Sequence, residues 1–402
     1  MSNILIISAV FSPEPVVSAK LSEDIASELA LAHKVTVIAP KPTRPFGFKL
    51  QIDKNKKTSY NLVNLESYTC PRSNTLGRLR ESYSFGIVCK KYILENHNSI
   101  DIIYMNSWPI FSQYFIIKIA EKYNIKVVTH VQDVYPESLA NKIPMASAVL
   151  NFVFLPIDKF VLKNSDRIIA ISDNMKKYLA KTRNLIESKI EVVQNWQNET
   201  PFIEYNKTKK NLRNNDRLFT FMYMGNIGPV AGVDLLIESF YKSNLKKCKL
   251  IIAGSGSKKE ELENMVSLRN IERVEFVVVA DGKVPDIQGA ADVMLLPIKK
   301  GAAASSIPSK LPAYMFSEKP IIGSLDLDSD TARVLLESDC GWVVTPENTK
   351  ELQQKMIEVS NLENKKLEVK GMKGFQYAME YLSKKNNLLK VVGIINKSLL
   401  KP

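Results

Sequence analysis

The chain has 402 residues, 45% hydrophobic and 24% charged, a composition typical of a globular protein long enough for two domains. Its 55 Lys and Arg outnumber its 42 Asp and Glu, and the net charge of +13 favours anionic partners such as phosphorylated substrates and acidic lipids. Four cysteines without a C-x-x-C pair argue against a zinc knuckle or disulfide framework, and the absence of any apolar run of about 18 residues argues against a spanning helix.

Short apolar runs alternate with helical patterns through the first half of the chain. Leu21, Ile25 and Leu29 recur every four residues, which predicts a helix over 18–31. Runs that are apolar on both sides are typical of buried parallel strands, and their alternation with helices predicts a doubly wound sheet. The predicted strands of this half are 3–10, 34–39, 62–68, 101–105, 126–130, 167–171 and 189–193.

The same alternation begins again at Leu218. The polar stretch 195–218 has no apolar periodicity and is predicted to be a linker, and the chain closes with helices predicted at 371–383 and 387–399. The chain is therefore predicted to be α/β, with two Rossmann-like domains that face each other across a deep cleft. The predicted strands of the second half are 218–224, 249–253, 274–278, 293–296, 319–322 and 342–344.

Polar residues follow the strands of the first half. The first loop, 11–18, lacks a G-x-G-x-x-G fingerprint, which argues against a nicotinamide oxidoreductase. Its Glu14 is either a carboxylate in water or a contact to a polar substrate. His130 ends a predicted strand and precedes Asp133 and Glu137, so we expect these three to cluster and to handle hydroxyls or protons.

Glycines follow two strands of the second half. The segments 225–228 (Gly-Asn-Ile-Gly) and 254–256 (Gly-Ser-Gly) permit close approach of a ligand to the backbone before a helix, although a tight turn explains each about as well. Lys310 follows a Pro-Ser turn at the start of a short helix, where free N–H groups and the lysine charge suit a diphosphate. Taken alone, Lys310 is also compatible with a solvated surface lysine.

No metal site is predicted. Asp326, Asp328 and Asp330 spell D-x-D, but they lie in a polar loop that enters a helix, where capping by Ser329 or Asp330 is the better interpretation. The H-x-x-D spacing of His130 and Asp133 is not specific for a metal either.

Several of these segments together resemble the GT-B glycosyltransferases of retaining family 4. The nearest branch is similar to bacterial sugar transferases of O-antigen, capsule and exopolysaccharide clusters, including those described as fucosamine transferase-like. The resemblance covers nearly the whole chain, and it implies an acceptor domain at 1–197, a nucleotide-sugar donor domain at 198–370 and C-terminal helices at 371–402 that pack back toward the first domain. It is carried, in chain order, by FSPEPVVSA, HVQDVYPES, VVQNWQN, YMGNIG, IIAGSGSKKEEL, ADVMLLP and PSKLPAYMFSEKPII.

The resemblance implies a metal-independent, retaining hexosyltransferase without a cofactor. The implied donor is a UDP-sugar whose sugar is an N-acetylated or deoxy hexose. The implied acceptor is a polyprenyl-diphosphate-linked saccharide. The residues predicted to be catalytic are His130, Asp133 and Lys310. The donor-binding residues are Gly225, Asn226, Gly228, Gly254, Gly256, Ser306, Ser309 and Lys310. The acceptor-binding residues are Ser12, Glu14, Ser18, Asn106 and Glu137.

The chain departs from the family pattern in three places. Ser305 and Ala313 stand where the family has the two glutamates of E-x7-E, and the segment 229–232 (Pro-Val-Ala-Gly) lacks the Arg and Lys that often follow the glycine loop. The segment 316–318 reads Phe-Ser-Glu at a place where the family usually has small residues. Lys310 is therefore the strongest remaining cation for the donor phosphates. A nucleotide-sugar 2-epimerase of the same fold and a non-catalytic GT-B subunit remain as alternatives.

The protein is predicted to be cytoplasmic and peripheral on the inner face of the cytoplasmic membrane. The net charge and the implied lipid acceptor favour contact with anionic lipid, and no nucleic-acid module is recognised, so nucleic acid is not an expected partner. Two parts of the chain are candidates for contact with lipid. One is the apolar helix 146–162, for which packing in the core is the favoured interpretation. The other, and the stronger candidate, is a set of basic and aromatic residues: Lys41, Arg44, Phe46, Phe48, Lys49, Lys54, Lys56 and Lys57.

Overall fold

The chain forms two compact units in a computed structural model. Unit 1 comprises Met1–Asn195 and Asn387–Pro402, and unit 2 comprises Trp196–Asn386. The residues that the structure describes are 1–44, 58–72, 74–106, 110–140, 145, 147–208, 217–229, 231–301 and 307–400.

Unit 1 is built on a parallel sheet of seven strands. These are β1 (Asn3–Ile7), β2 (Lys34–Pro40), β3 (Asn61–Leu65), β4 (Ile102–Asn106), β5 (Lys126–Val131), β6 (Arg167–Ala170) and β7 (Ile190–Val192). Their order is β3-β2-β1-β4-β5-β6-β7, so the chain reverses its direction across the sheet between β1 and β4. Loops from the carboxyl ends of these two strands border a crevice where ligands commonly bind. All seven predicted strands are confirmed, with ends that differ by at most three residues.

Helices connect these strands. They are α1 (Val17–Leu29), α2 (Thr75–Asn96), α3 (Ile110–Lys122), α4 (Glu137–Ala140), α5 (Ser147–Asn164) and α6 (Asp173–Arg183). Side-chain caps fix two of their starts: Asn74 accepts a hydrogen bond from Gly77 N before α2, and Ser172 accepts one from Met175 N before α6. Apolar residues of α2, α3 and α5 pack in one core with β1, β4 and β5, so these three helices form a layer on one face of the sheet.

Unit 2 is built on a second parallel sheet, of six strands. α7 (Thr200–Thr208) precedes the strands β8 (Phe219–Met224), β9 (Cys248–Ala253), β10 (Val274–Val277), β11 (Val293–Pro297), β12 (Ile321–Ser324) and β13 (Gly341–Val344). Their order is β10-β9-β8-β11-β12-β13, with the reversal between β8 and β11. The six predicted strands are confirmed, with ends that differ by at most two residues. The connecting helices are α8 (Val233–Ser243), α9 (Lys259–Leu268), α10 (Val284–Gly289), α11 (Lys310–Phe316), α12 (Asp330–Glu337) and α13 (Thr349–Ser360).

The prediction that 195–218 is only a linker is wrong. This stretch contains α7, whose Phe202 is buried with its ring centroid 5.9 Å from that of Phe316. The sequence misled because a single buried aromatic residue anchors this polar helix, which leaves no apolar periodicity to detect. The boundary between the compact units falls at Asn195 and Trp196, and residues 209–216 lie outside the described part of the chain.

The closing helices divide between the two units. α14 (Asn364–Tyr381) places Ala378 in the core of unit 2, whereas α15 (Lys384–Leu399) buries Val391 and Ile395 and mostly belongs to unit 1. In unit 1, Lys126 Nζ donates a hydrogen bond to Ser398 O at 2.8 Å. The segment that joins unit 1 therefore begins at Asn387 and not at residue 371. Among the described residues, no helix combines the length and apolar character needed to cross a membrane.

Candidate functional site

Lys310 opens α11 and lies half-buried at the carboxyl end of β8. Its aliphatic stem lies across Gly225, where an added Cβ would clash with Lys310 Cε, and its Nζ lies 5.0 Å from the centroid of the Tyr223 ring. Burial lowers the pKa of Lys310, and no carboxylate in the described ranges forms an ion pair with it. A partly desolvated cation without a protein counter-ion is an energetically unfavourable arrangement that a bound anion relieves.

Tyr314 fixes α11 to the end of β8. Its hydroxyl accepts a hydrogen bond from Met224 N at 2.9 Å and donates one to Met224 O at 2.7 Å. β11 pairs with β8 only at Phe221 and Met222, so the backbone groups of Met224 extend beyond their strand partner and the hydroxyl takes its place. Burial raises the pKa of Tyr314 far above its usual value, which keeps the hydroxyl protonated and able to donate.

The two glycine loops, after β8 and after β9, pack backbone against backbone. A Cβ on Gly254 would clash with Gly225 O, and a Cβ on Gly256 would clash with Ile227 O. Only glycine permits this approach, because every other residue carries a Cβ. Gly254 and Gly256 are therefore explained by contact between the loops, in addition to any role in binding a ligand.

The other predicted donor-binding residues of unit 2 lie around the same strand end or outside the described residues. Asn226 is exposed in the loop after β8, and Gly228 is buried beside the Asn226 side chain. Ser309 is the exposed residue before α11, and its side chain makes no capping hydrogen bond. Ser306 lies outside the described residues.

A pocket of about 420 Å³ lies in unit 1 at the carboxyl ends of β1, β4 and β5. It is lined by the predicted residues Ser18, Asn106 and Asp133, and also by Arg44 and Arg78. The pocket offers hydroxyl, amide, carboxylate and guanidinium groups in one place, a set suited to a hydroxyl-rich ligand.

His130 is fully buried in β5 and is bonded to Tyr104. The Tyr104 hydroxyl lies 2.7 Å from His130 Nδ1 and 3.3 Å from Asn106 Oδ1, and Asn106 Nδ2 donates to Ser22 Oγ at 2.8 Å. His130 Nε2 is buried and has no hydrogen-bond partner among the described residues. Burial lowers the pKa of His130 to about 4, so the imidazole is neutral near pH 7 and has one unused position for a hydrogen bond.

Glu14 is neither a carboxylate in water nor part of the 420 Å³ pocket. It is buried, and its Oε1 accepts hydrogen bonds from Thr43 N at 2.7 Å and Arg44 N at 2.9 Å. Glu14 therefore holds the segment that carries Arg44. It also lines a separate pocket of about 350 Å³ with Ser12, so these two predicted acceptor residues lie apart from Ser18 and Asn106.

Glu137 does not cluster with His130 and Asp133, contrary to prediction. Both of its carboxylate oxygens accept hydrogen bonds from Arg183, which is fully buried and also bonded to Asp158 Oδ2 at 2.7 Å. A buried guanidinium requires such partners, so Arg183 of α6 joins Glu137 of α4 and Asp158 of α5. Sequence spacing did not reveal this pairing, because Arg183 is 46 residues away.

Two arginines beside the 420 Å³ pocket were missed from the sequence. Arg44 and Arg78 both form ion pairs with Glu81 of α2, and the Arg78 Nη1 to Glu81 Oε2 distance is 2.7 Å. The only local signal was the i, i+3 spacing of Arg78 and Glu81 on one helix. The burial of Arg44 also shows that the prediction of this residue as a lipid contact is wrong.

The other predicted membrane contacts stay predictions. Lys41 is exposed and forms an ion pair with Glu66 at 2.7 Å. The helix predicted at 146–162 is α5, which buries Phe154 on one side and leaves Phe152 exposed on the other. Phe46, Phe48, Lys49, Lys54, Lys56 and Lys57 lie outside the described residues.

The D-x-D segment has the predicted capping role. Ser329 precedes α12 and its Oγ accepts a hydrogen bond from Ala332 N at 3.1 Å, while Asp330 pairs with Arg333 at 2.9 Å. Asp326 accepts a hydrogen bond from Gly301 N at 2.8 Å. Among the described residues, no group of three or more His, Cys, Asp and Glu side chains is placed to hold a metal ion.

Both halves of the chain match family models of sugar-transferring enzymes. Residues 19–198 match the model described as Glycosyltransferase Family 4, and residues 219–361 match the model described as Glycosyl transferases group 1. The probable glycosyltransferase WbjE of Pseudomonas aeruginosa is 24% identical over 259 residues. That match covers 59% of this chain and 60% of the relative.

Solved structures of low sequence identity share the fold along the whole chain. Sucrose-phosphate synthase from Thermosynechococcus elongatus is 16% identical with a TM-score of 0.74, and the match covers 99% of both chains. HepE of Anabaena in complex with UDP is 15% identical with a TM-score of 0.73, covering 99% of this chain and 100% of HepE. WaaG, a glycosyltransferase involved in lipopolysaccharide biosynthesis, is 12% identical with a TM-score of 0.66, covering 98% and 99%.

The Tyr314→Phe variant tests the anchoring of α11. It keeps the ring but leaves the buried N–H and C=O of Met224 unpaired, and each such group costs about 1–3 kcal/mol. We expect chemical denaturation to show a loss of roughly 2–6 kcal/mol in the free energy of unfolding. The control is Tyr223→Phe, which loses one hydrogen bond, to Asn226 O at 2.6 Å. Equal losses in the two variants would contradict the anchoring role.

The buried His130 predicts acid sensitivity. Its pKa is about 4 in the folded protein against 6.5 for a free histidine, so the unfolded chain binds more protons between these values. Wild type should therefore lose up to about 3 kcal/mol of stability as the pH falls through this window. The His130→Gln variant should lack that part of the loss. Unfolding curves at about pH 8, where His130 is neutral in both states, give the intrinsic cost of the substitution. Parallel pH profiles of the two proteins would refute the assignment.

Proposed function

We propose that this chain, which carries both domains of a GT-B glycosyltransferase, is an enzyme that moves a sugar from a UDP-sugar to a lipid-linked saccharide. The sugar is an N-acetylated or deoxy hexose, and the product enters a surface polysaccharide. Support for the donor comes from HepE, which was solved with UDP and with UDP-glucose. Support for the pathway comes from WaaG and from WaaB, a lipopolysaccharide outer core galactosyltransferase that is 14% identical with a TM-score of 0.63.

The observation that carries the donor assignment is the half-buried Lys310 over the end of β8. A diphosphate supplies the counter-charge that no described carboxylate provides. In the loop after β8, the N–H groups of Gly225 and Ile227 already donate to Ala253 O and Ser255 O, so we assign donation to the diphosphate to those of Asn226 and Gly228. Partial burial strengthens the electrostatic interaction, because the local dielectric is lower than that of water.

Lys310 and this loop offset the negative charge that develops on the leaving diphosphate. In a retaining transfer the bond from C1 of the sugar to the phosphate oxygen breaks, and a bond from C1 to the acceptor oxygen forms on the same face. The acceptor hydroxyl passes its proton to the leaving phosphate oxygen, so the residues of this chain contribute positioning and charge stabilisation. No protein carboxylate has to act as a nucleophile in this scheme.

His130 acts in this proposal as a neutral hydrogen-bonding group. A side chain with a pKa of about 4 is a weak base near pH 7, and its Nε2 is buried. We therefore assign His130 to the positioning of Asn106 through the Tyr104 hydroxyl, and not to general base catalysis. Asp133 lines the 420 Å³ pocket with Ser18 and Asn106, and we assign these three to hydroxyls of the acceptor saccharide. Tyr104 orients His130 through its 2.7 Å contact with Nδ1.

The Lys310→Met variant separates binding from stability. It keeps the aliphatic stem over Gly225 and removes the charge, so UDP affinity should fall roughly ten- to a hundredfold, or about 1.5–3 kcal/mol. The free energy of unfolding should stay equal or rise, because the folded protein no longer desolvates a charge. Calorimetry with UDP and chemical denaturation measure the two quantities.

The matched control for this variant is Lys366→Met, on the exposed side of α14. It should change neither UDP affinity nor the free energy of unfolding by more than about 0.5 kcal/mol. Unchanged UDP affinity in Lys310→Met would remove this lysine from the donor site. In wild type, the loss of stability caused by the buried charge of Lys310 is fully present below the pKa that Lys310 has in the folded protein. It is relieved as the pH rises toward 10.5.

Transfer should survive chelation. The scheme needs no divalent cation, so EDTA is expected to leave the rate of sugar transfer unchanged. Rates measured with EDTA, and again after addition of magnesium or manganese, test this expectation. Abolition by EDTA with recovery on addition of either metal would require a metal-dependent mechanism.

Radiolabelled UDP-sugars distinguish the proposed transferase from its alternatives. Incubation with and without a bacterial membrane extract should give label in the lipid fraction only when the extract is present. Epimerised nucleotide sugar in the absence of extract would identify a 2-epimerase. No turnover with UDP-hexoses, in the presence of measurable UDP binding, would favour a non-catalytic subunit.

A further inference from the structure

The outer side of α2 carries an apolar stripe that unit 1 does not cover. Leu76, Tyr83, Ile87 and Leu94 are all exposed, with Leu76 at 80%. Their spacing of seven, four and seven residues places them on one side of the helix. The opposite side is buried against the sheet and includes Phe85, which shows that this stripe is not the core face.

The outer side of α5 is apolar in the same way. Val149, Phe152 and Val153 are exposed, with Phe152 at 83%, and Met145 is fully exposed just before the helix. Phe154, Val161 and Leu162 are buried on the other side. The exposed residues therefore form a second stripe and do not belong to the core of unit 1.

Aromatic contacts link the α2 stripe through α3 to the buried side of α5. The Tyr83 ring of α2 lies 6.1 Å from Phe111 of α3, and Phe111 lies 5.7 Å from Phe154 of α5. Because α2, α3 and α5 share one core against one face of the sheet, their outer sides point the same way. We call this surface the α2–α3–α5 face.

Basic residues are interspersed with the apolar ones. Arg80 and Lys90 lie within the α2 stripe at helical spacing, and Lys91, Lys118 and Lys122 are exposed beside it on α2 and α3. Across these three helices, which the structure describes completely, the exposed acidic residues are Glu95 and Glu121. The face thus combines exposed aliphatic and aromatic groups with an excess of positive charge.

We infer that the α2–α3–α5 face binds the surface of an anionic bilayer. Apolar side chains that enter the headgroup region, with cations placed against lipid phosphates, are the features by which helices lie on such surfaces. A protein partner fits less well, because lysine is depleted in the centre of protein interfaces. The inference rests on the proposed function in one respect: a lipid-linked acceptor requires the enzyme at a membrane.

The position of α2 links this face to the unit 1 pocket. Arg78 on α2 lines the 420 Å³ pocket, while Leu76, two residues earlier, is exposed on the outer stripe. One helix therefore borders both the surface that contacts lipid and the pocket assigned to the acceptor. A saccharide that remains attached to a lipid in the bilayer is held close to this pocket when the face is on the membrane.

Co-sedimentation with vesicles tests the inference. Two double variants weaken the face in different ways: Leu76→Ser with Ile87→Ser removes apolar contacts, and Lys90→Glu with Lys91→Glu reverses charge. The matched controls are Leu389→Ser and Lys390→Glu, both at exposed positions of α15 in unit 1. The vesicles are phosphatidylcholine alone or phosphatidylcholine with phosphatidylglycerol, at low and at high salt.

Wild type and both controls should bind the anionic vesicles, bind neutral vesicles weakly, and be released by salt. Each double variant should lose about tenfold or more of its partitioning. Equal binding to both vesicle types, wild-type binding by the double variants, or no wild-type binding would overturn the inference. Dimerisation through this face in place of vesicle binding would also overturn it. UDP calorimetry on the same proteins tests the proposed function independently of the vesicle assay. If wild type does not bind UDP, the proposed function is contradicted and the vesicle result still stands.

Discussion

A strand that is longer than its neighbour leaves backbone groups that must be satisfied, and this constraint organises the end of β8. Met224 extends past the last residue of β8 that pairs with β11, and the Tyr314 hydroxyl supplies both missing hydrogen bonds. Tyr314 and Lys310 are one turn apart on α11, so the bond to Met224 places Lys310 over the next residue of the chain, Gly225. A backbone requirement thereby sets the position of the cation assigned to the diphosphate.

Unit 1 meets a similar requirement with a polar network instead of a single side chain. His130, Tyr104, Asn106 and Ser22 form a buried series of hydrogen bonds across β5, β4 and α1, and one imidazole nitrogen remains without a partner in the described residues. Buried polar groups of this kind fix side-chain orientation, because any alternative arrangement leaves more of them unpaired. Orientation and not basicity is then the contribution of His130, in agreement with its lowered pKa.

The elements of the fold could be predicted from the sequence, and most pairings between them could not. Buried parallel strands carry their signal locally, as short apolar runs between helical patterns, and all thirteen predicted strands are present. The pairing of Glu137 with Arg183 and of Arg44 with Glu81 depends on residues tens of positions apart. Glu14 appeared to be a site residue because of its loop, yet it binds backbone N–H groups of another loop. Lys310 was found because its helix start is a local feature; Tyr314 was missed because its partner is 90 residues away.

The interlocked glycine loops after β8 and β9 limit how this protein can be altered. Each loop occupies the space that a side chain would fill in the other, so the two behave as one piece of structure built from separate segments. Replacing one of them with a loop of different shape would bring that shape against an unchanged partner. Either loop can therefore be exchanged only together with the other.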